Sequence, residues 1–544
     1  MRLPSILLAV AAVVLAACTK VTTQVSSGNS WTHHGVLRWA DNGEPDTLLP
    51  EIGNSQTDID LSMFWAGYLF NWNDRNEFEP ELATQVPTLE NGGIGKDGLS
   101  ITYHLRKGVK WQDGSPFSAD DVIFSYQQIM NPANFITSRT GYELVTGIDR
   151  RDDYTIVVHL KKKYAPFVAS FFTMSATPFC VLPRHVLAPW VAQHGNLNRA
   201  PFNNKPVGTG PFIVEKWVHG TSITMVANRR YWRGPPKLRE IEYLYVPADT
   251  TILTMWQSHQ IDFQYLVPSE ELAALGSTKG IRVYKTPFTQ YAEVALNSQS
   301  SILGDVRVRR ALAFATNVPA LLGDVSHGVP GDSDQPSFSW AHGSHNARYP
   351  FDPKRAAALL DAAGWRLGND GLRYKNGLPL SLTLAGFGGS ATSEHTQELL
   401  QAQWREAGVD VRIKDYPASL LLADYGSGGI IQNGKFDVAY SAIANGVDPD
   451  DSWLWMCDQW PPRGQNVYRY CNRALDRWEN IALTSYDRTR RKVAYDRIQR
   501  ILTTDEPTII LWYSRRNDVA NSDLTGYTPA HAVTTFWNTW EWQI

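Results

Sequence analysis

The sequence predicts an α/β protein, because strand and helix patterns alternate along its second half. Residues 380–384 and 409–413 are short apolar strand patterns, and residues 394–407 between them form a helical pattern that Gly408 ends. A strand, a helix and a second strand in this order imply a parallel crossover. With 544 residues, the chain is long enough for two or three domains.

The other elements follow from the same patterns, taken in order along the chain. Strands are predicted at 36–39, 101–105, 154–160, 241–246, 291–297, 436–441 and 508–513, with apolar and polar residues alternating at 101–105 and 154–160. Helices are predicted at 58–69, 305–317, 351–364 and 488–502, with apolar residues at helical spacing in the first two. The helix at 351–364 is well delimited, because Asp352 is a capping residue, Pro353 suits the first turn and Gly364 ends it.

The composition is that of a globular protein, with 43% hydrophobic and 19% charged residues. The formal net charge is -3, so no basic field favours a nucleic-acid partner. The chain has 20 Trp residues, and we expect most of them in cores and some beside a ligand.

The first residues predict a targeting segment and a lipid anchor. Arg2 precedes an apolar run, residues 6–17, which is too short to span a membrane comfortably. The run ends in Leu-Ala-Ala-Cys18, which resembles a bacterial lipobox, where cleavage precedes the cysteine and the thiol is lipidated. An ordinary signal peptide with an incidental cysteine is the alternative. We expect an exported protein held at the periplasmic or cell surface by its lipid, with residues 20–34 as a polar, flexible tether.

The remaining cysteines predict one disulfide and one free thiol. Cys457 and Cys471 are close in sequence, and an exported protein meets an oxidising compartment, so we expect them to form a disulfide. Cys180 lies in the apolar segment SATPFCVLP, which predicts a buried and unreactive thiol.

Residues 99–131 combine a strand, a turn and a capped helix. Asp113-Gly114 supplies turn chemistry, and Ser118 followed by Asp121 predicts a capping box. Residues 104–125, HLRKGVKWQDGSPFSADDVIFS, closely resemble a segment of the extracellular solute-binding proteins of family 5. These are the oligopeptide- and dipeptide-binding proteins of ABC importers.

Further segments resemble the same family. They are PVGTGPF at 206–212, NRRYWRG at 228–234, DVRVRRALAFATN at 305–317 and FDPKRAAALLDAAGW at 351–365. The glycines of 206–212 allow the backbone to fold tightly against a neighbour, whereas Pro211 lacks an amide that a phosphate loop would need. The resemblance covers roughly residues 36–535.

The resemblance implies a type II periplasmic-binding-protein fold with an extra subdomain, in which hinge strands join two lobes and the ligand is enclosed between them. It implies a signal peptide (1–17), Cys18 with the tether (18–35), lobe I (36–72, 201–290 and 511–544), an extra subdomain (73–200) and lobe II (291–510). Lobe closure on a peptide or related small solute, with delivery to an ABC permease and its ATPase, is the implied function. We expect a monomer without a cofactor.

The resemblance also directs attention to residues 441–455, SAIANGVDPDDSWLW. In the family's peptide binders, an Asp before a similar run pairs with the α-ammonium of the peptide. That position falls on Asn445 here, which is neutral, so the charge pair is missing unless Asp448 replaces it. This departure indicates either a peptide bound in another way or a ligand without a free amine.

Oligosaccharide is the competing ligand class, because some family members bind it through stacked aromatic side chains. Trp453, Trp455 and Trp460 in and after this loop, with Trp65 near the start, suit that hypothesis. Tyr291, on a predicted hinge strand, is a further candidate. Core packing is the alternative for each of these side chains.

No motif indicates catalysis or a metal. The sequence has no Gly-x-Ser-x-Gly, His-Glu-x-x-His or Cys-x-x-Cys pattern. Asp448, Asp450 and Asp451 are expected in a solvated loop, and His342 and His345 on the surface. A secreted hydrolase remains the alternative of another class, and it requires a carboxyl pair in the cleft with one raised pKa.

Overall fold

The computed structural model describes residues 28–53, 55–136, 138–175, 178–324, 328–531 and 536–544. The predicted signal peptide and Cys18 lie outside these residues. Within these ranges, none of the helices combines the length and the apolar character that crossing a membrane requires.

The strands vary from two-residue pairs to long strands that cross the molecule. They are β1 (Val36–Asp41), β2 (Phe70–Trp72), β3 (Phe78–Pro80), β4 (Ser100–His104), β5 (Val145–Asp152), β6 (Thr155–Leu160), β7 (Phe212–Val218), β8 (Ser222–Ala227), β9 (Glu240–Tyr245), β10 (Phe263–Gln264), β11 (Ile281–Leu296), β12 (Val329–Pro330), β13 (Arg366–Leu367), β14 (Arg373–Lys375), β15 (Leu378–Pro379), β16 (Ser381–Phe387), β17 (Asp410–Tyr416), β18 (Val438–Ala444) and β19 (Thr508–Asn521).

The helices pack on the faces and ends of the sheets. They are α1 (Gln56–Trp65), α2 (Ala119–Met130), α3 (Phe167–Ser170), α4 (Arg184–His194), α5 (Asp249–Gln257), α6 (Ser269–Leu275), α7 (Val306–Ala315), α8 (Val318–Asp324), α9 (Pro353–Ala362), α10 (Ala391–Glu406), α11 (Ala418–Leu421), α12 (Ser452–Trp455), α13 (Arg473–Thr484) and α14 (Arg488–Asp505). Short 3-10 helices are Tyr142–Leu144, Pro201–Asn203 and Thr539–Glu541.

One large sheet runs through both halves of the molecule. Its strand order is β17-β16-β18-β11-β19-β10-β1-β9-β8-β7, and β12 also pairs with β19. Strands β16 and β17 are parallel, with Leu382 opposite Val411, and α10 connects them. The predicted crossover, and with it the α/β class, is therefore confirmed.

Two antiparallel strands, β11 and β19, connect the halves. At one end Tyr284 pairs with Asp518 and packs on the core around Trp39, which we call lobe I. At the other end Val294 pairs with Ile509 in the core around Leu382, which we call lobe II. Two cores joined by two crossing strands give the two-lobed fold that was predicted, whereas the exact lobe boundaries stay a prediction.

Lobe I has an aromatic core beneath its half of the sheet. Trp39 is fully buried, and its ring meets Tyr243 edge-on with centroids 4.8 Å apart. Phe263, Phe536 and Trp542 complete this cluster. The C-terminal residues therefore pack in the core of lobe I, beside β1.

Lobe II carries the predicted disulfide. Cys457 and Cys471 are bonded, with their Cα atoms 4.5 Å apart. A disulfide that closes a loop of this length stabilises the folded protein by about 3 kcal/mol, because it restricts the unfolded chain. The remaining thiol, Cys180, is fully buried as predicted, and burial raises its pKa well above the ordinary value.

The extra region between β2 and β7 has its own sheet, β4-β6-β5, and its own core, which includes Trp111, Val122 and Ile156. Helix α2 begins as predicted, because the Asp121 carboxylate accepts a hydrogen bond of 2.9 Å from the Ser118 amide. We call this region the subdomain below.

Two of the segments that carry the family resemblance meet under α1. The Gln112 side chain accepts a hydrogen bond from the Gly208 amide at 2.9 Å, and Gln112 N donates to the Gly208 carbonyl at 2.9 Å. Gly210 N donates to the Trp65 carbonyl at 2.9 Å. Helix α1 therefore ends at Trp65, whereas the sequence predicted that it would continue to residue 69.

Candidate ligand-binding site between the lobes

A cavity of about 200 Å³ lies between lobe II, the subdomain and a crossing strand. Its walls come from the β2–β3 turn, from β11, from two loops of lobe II and from the start of α14. The lining residues are Arg75, Asn76, Glu77, Thr289, Gln335, Pro336, Phe338, Ser339, Trp340, Gly446, Val447 and Arg488.

The subdomain wall is a tight turn that presents a charged pair. The Asn73 side chain accepts hydrogen bonds from the amides of Arg75 and Glu77, at 2.9 and 3.0 Å, and so fixes the turn. Arg75 Nε donates to Glu77 Oε2 at 2.9 Å, and this hydrogen bond is the main cause of the lowered pKa of Glu77. Both side chains are largely exposed, so the pair is well solvated.

The lobe II wall is a segment that we call the strap, residues 333–342. Its Gln335 amide donates to Asp451 Oδ2 at 3.1 Å and to the Pro449 carbonyl at 3.2 Å. These contacts tie the strap to the loop after β18. Phe338 and Trp340 on the strap supply the aromatic surface of the cavity.

Arg488 is the cation that remains available to a ligand. Its guanidinium lies 5.0 Å from the centroid of the Trp340 ring, and within the described ranges it makes no hydrogen bond or ion pair. Arg491 also contacts Trp340, at 5.4 Å, but it donates to both Asp448 oxygens at 2.6 and 2.8 Å. Arg488 is exposed and interacts electrostatically with Glu77 across the cavity. The site therefore combines an aromatic face with a guanidinium that has no close ion-pair partner among the described residues, which suits a carboxylate.

The loop at 441–455 reaches the cavity, but the residues that line it are not the ones predicted from the sequence. Gly446 and Val447 line the cavity. Asn445 is buried, and its amide donates to the Asp334 carbonyl. Asp448 is the partner of Arg491 and so does not offer a free carboxylate.

The predicted aromatic candidates are not among the lining residues of this cavity. Trp455 is fully buried, stacks on Tyr468 and donates to Asp334 Oδ2 at 3.2 Å. Trp65 is in the lobe I core, and Tyr291 is fully buried on β11. Trp453 is 37% exposed, and the Trp460 indole donates to the Tyr470 carbonyl.

Sequence reasoning missed Phe338, Trp340 and Arg488. The two aromatic residues stand in a segment rich in Gly, Ser and Pro, where no regular element would bury them, and that was a usable signal. Nothing in the sequence distinguishes Arg488 from the other arginines of the same helix.

The subdomain and lobe II are in direct contact across the cleft. Tyr164 Oη of the subdomain donates to Asp450 Oδ2 of lobe II at 3.0 Å. Beside it, Ala165 N donates to the Leu483 carbonyl at 2.7 Å, and Tyr486 Oη donates to the Gly98 carbonyl at 3.1 Å. These contacts join lobe II to the subdomain on the same side of the molecule as the cavity walls, although the contacting residues do not themselves line the cavity.

A buried carboxyl pair lies behind the loop after β18. Asp451 is 1% exposed, so the expectation of a solvated loop was wrong for this residue. Burial raises the pKa of both Asp451 and Glu479 well above the ordinary value. Neither residue lines the cavity, so the pair does not meet the geometric condition set for a hydrolase.

Glu293 on β11 gives a testable pH dependence of stability. Its buried carboxyl accepts hydrogen bonds from Tyr468, Ser441 and Thr508, yet burial raises its pKa to about 7. The folded chain then keeps a proton that the unfolded chain releases. The resulting stabilisation, about 3 kcal/mol, is complete below the ordinary pKa and is lost as the pH rises through 7.

We therefore expect the free energy of unfolding, measured with urea between about pH 5 and pH 8, to decrease less steeply for Glu293→Gln than for the unmodified protein. The exposed Glu406→Gln is the control and should leave the slope unchanged. Equal slopes for the Glu293 variant and the unmodified protein would contradict the assignment.

Two lobes that close on a small cavity define the class of two-lobed binding proteins. Residues 77–464 match the model of the bacterial extracellular solute-binding proteins, family 5 Middle, and the chain belongs to this family.

Two relatives are similar to this chain in sequence, and one solved structure is similar in fold, over nearly its whole length. The oligopeptide-binding protein AppA of Bacillus subtilis is 24% identical over 533 residues, which cover 96% of this chain and 94% of AppA. The dipeptide-binding protein of Escherichia coli is 24% identical, with 90% and 92% covered. The ABC transporter substrate-binding protein CtaP of Listeria monocytogenes has the same fold, with a TM-score of 0.81, 20% identity and coverage of 94% and 99%.

Proposed function

We propose that the protein is the extracytoplasmic binding component of an ABC importer and that it captures a short peptide or a related small solute. The observation that carries this proposal is the cavity walled by lobe II, the subdomain and β11. Only the closed form brings all these walls to the ligand, so binding stabilises closure. The solute is released unaltered.

The cavity indicates the size and charge of the ligand. About 200 Å³ is below the roughly 300–1,000 Å³ of pockets for drug-sized ligands, which favours a di- or tripeptide over a long chain. Arg488 would bind a carboxylate, and Trp340 would contact the body of the ligand. The loop after β18 offers no free carboxylate to a peptide ammonium, because Asn445 is neutral and Asp448 is paired with Arg491. The carboxylate that lines the cavity is that of Glu77.

The names of the relatives support a peptide, because AppA is an oligopeptide-binding protein and the Escherichia coli relative a dipeptide-binding protein. We further propose delivery to a permease with its ATPase, action as a monomer, and a membrane anchor at Cys18 after removal of residues 1–17. An oligosaccharide ligand is the alternative outcome of the test below.

The test is a thermal-shift screen of di- and tripeptides, longer peptides and oligosaccharides, followed by calorimetric titration of the best ligand. A ligand that binds only the native state raises the melting temperature. We expect short peptides to give the shift, and Arg488→Ala to weaken their binding by about tenfold or more. The exposed Arg490→Ala on the same helix is the matched control and should bind as the unmodified protein.

Amidation of the peptide C-terminus should mimic Arg488→Ala, because it removes the carboxylate. A shift with oligosaccharides alone would replace the peptide by a sugar ligand. Turnover of any compound in the screen would contradict the proposal of a binding protein.

A further inference from the structure

Lobe II contains a second and larger pocket, of about 640 Å³, which we call the lobe II pocket. It lies among the ends of α7 and α14, the start of β19 and the loop before α9. Most of its wall is apolar and includes Val318, Tyr349, Leu502 and Ile510. Phe351 also lines it and is 41% exposed, so the pocket reaches the protein surface.

The strap separates this pocket from the cavity between the lobes. Asp334 and Ser337 line the lobe II pocket, whereas Phe338 and Trp340 line the interlobe cavity. A molecule in the pocket would therefore lie behind the strap, without contact to Arg488. The pocket is a separate compartment of ligand size.

Glu506 is the polar group that gives the pocket its chemistry. The residue is 6% exposed and lines the pocket, and in the part of the chain that the structure describes its carboxyl makes no hydrogen bond or ion pair. Burial raises the pKa of this carboxyl well above its ordinary value, and a ligand cation beside it would favour the charged form. The nearby cations, Arg309 and Arg310, lower that pKa but donate to backbone carbonyls. Arg309 donates to the carbonyls of Leu303, Asp505 and Glu506, and Arg310 donates to the Thr504 carbonyl.

The charges of the lining also favour a cation. The lining holds the carboxyls of Asp332, Asp334 and Glu506, and one guanidinium, that of Arg348. Asp332 has Arg348 at 3.5 Å and His342 at 3.7 Å as its partners. Asp334 accepts from the Trp455 indole at 3.2 Å, and its carboxyl also interacts with the buried Asp451. Glu506 is therefore the lining carboxyl for which the described residues supply no hydrogen bond or ion pair.

We propose that the lobe II pocket binds a small organic cation, a primary amine on an apolar body. Its ammonium donates to the Glu506 carboxylate in a charge-assisted hydrogen bond, and its apolar part lies against Val318, Leu502 and Ile510. A carboxylate paired with an ammonium inside an apolar wall meets the requirement that a buried charge be compensated.

The test uses calorimetric titration of the folded protein with 4-phenylbutylamine at millimolar concentration. 4-Phenylbutan-1-ol and 4-phenylbutyrate are the neutral and anionic controls with the same body. We expect the amine to bind one site per chain, about tenfold or more tighter than the alcohol, and the anion not to bind. Glu506→Gln should bring the amine affinity down to that of the alcohol.

Three further variants locate the site. Glu398→Gln, at an exposed position, should leave amine binding unchanged. Ala313→Leu adds volume to a buried lining residue and should weaken the amine and the alcohol alike. Arg488→Ala should leave amine binding intact, which keeps this result separate from the test of the interlobe cavity.

The proposal is overturned if the amine does not bind at millimolar concentration, or if Glu506→Gln binds it as tightly as the unmodified protein. Loss of amine binding in Arg488→Ala would also overturn it, because the amine would then occupy the interlobe cavity. Ala313→Leu is the second blocking variant should Glu506→Gln fail to fold, and unchanged amine affinity in that variant again rejects the pocket.

Discussion

Replacing Gly208 by alanine should prevent stable folding or cost more than about 3 kcal/mol of unfolding free energy. A Cβ atom at Gly208 would lie 1.7 Å from the Trp65 carbonyl oxygen, which is backbone at the end of α1 and has little room to move. The same carbonyl accepts the Gly210 amide, so a displacement would also break that hydrogen bond. Urea unfolding, or the yield of folded protein, measures the loss.

Gly147→Ala is the matched control for this prediction. A Cβ atom at Gly147 meets nothing within 4 Å, and we expect a change within about 0.5 kcal/mol. If Gly208→Ala and Gly147→Ala unfold at the same urea concentration, then the close approach of 206–212 to α1 does not support the fold.

Arg491→Ala should lower the unfolding free energy by about 3 kcal/mol and weaken ligand binding. The Arg491 side chain is 9% exposed and its partner Asp448 is 17% exposed, so the substitution leaves a largely buried carboxylate without its cation. It also removes one of the two guanidinium groups that contact Trp340 in the cavity wall. Urea unfolding and peptide titration measure the two effects.

Two variants sharpen this prediction. Arg490→Ala, one position away and exposed, should change stability by less than about 0.5 kcal/mol. The double variant Asp448→Leu with Arg491→Met should recover most of the stability, because apolar side chains of similar volume leave no unpaired charge. A loss below about 1 kcal/mol in Arg491→Ala would show that the pair is effectively solvated.

The crossing strands show where local patterns stop being informative. The sequence predicted strands at 291–297 and 508–513, whereas β11 covers Ile281–Leu296 and β19 covers Thr508–Asn521. The missed half of β19 is mostly polar and contains Arg516 and Asp518, which form a fully buried ion pair at 3.2 Å. These halves are strands because they pair with each other, and that pairing is not visible in either segment alone.

The sequence by itself determined the α/β class, the capped starts of α2 and α9, the disulfide and the buried Cys180. Each depends on residues that are close along the chain or on the polarity of a short segment. Only the tertiary structure decided which side chains line the interlobe cavity. Arg488, Arg490 and Arg491 are the same residue type on one helix. Arg488 and Arg490 are both exposed, but of these two only Arg488 lines the cavity, whereas Arg491 is buried and paired with Asp448. Their roles differ because segments distant in sequence pack on different sides of α14, and packing sets the partner of each charge.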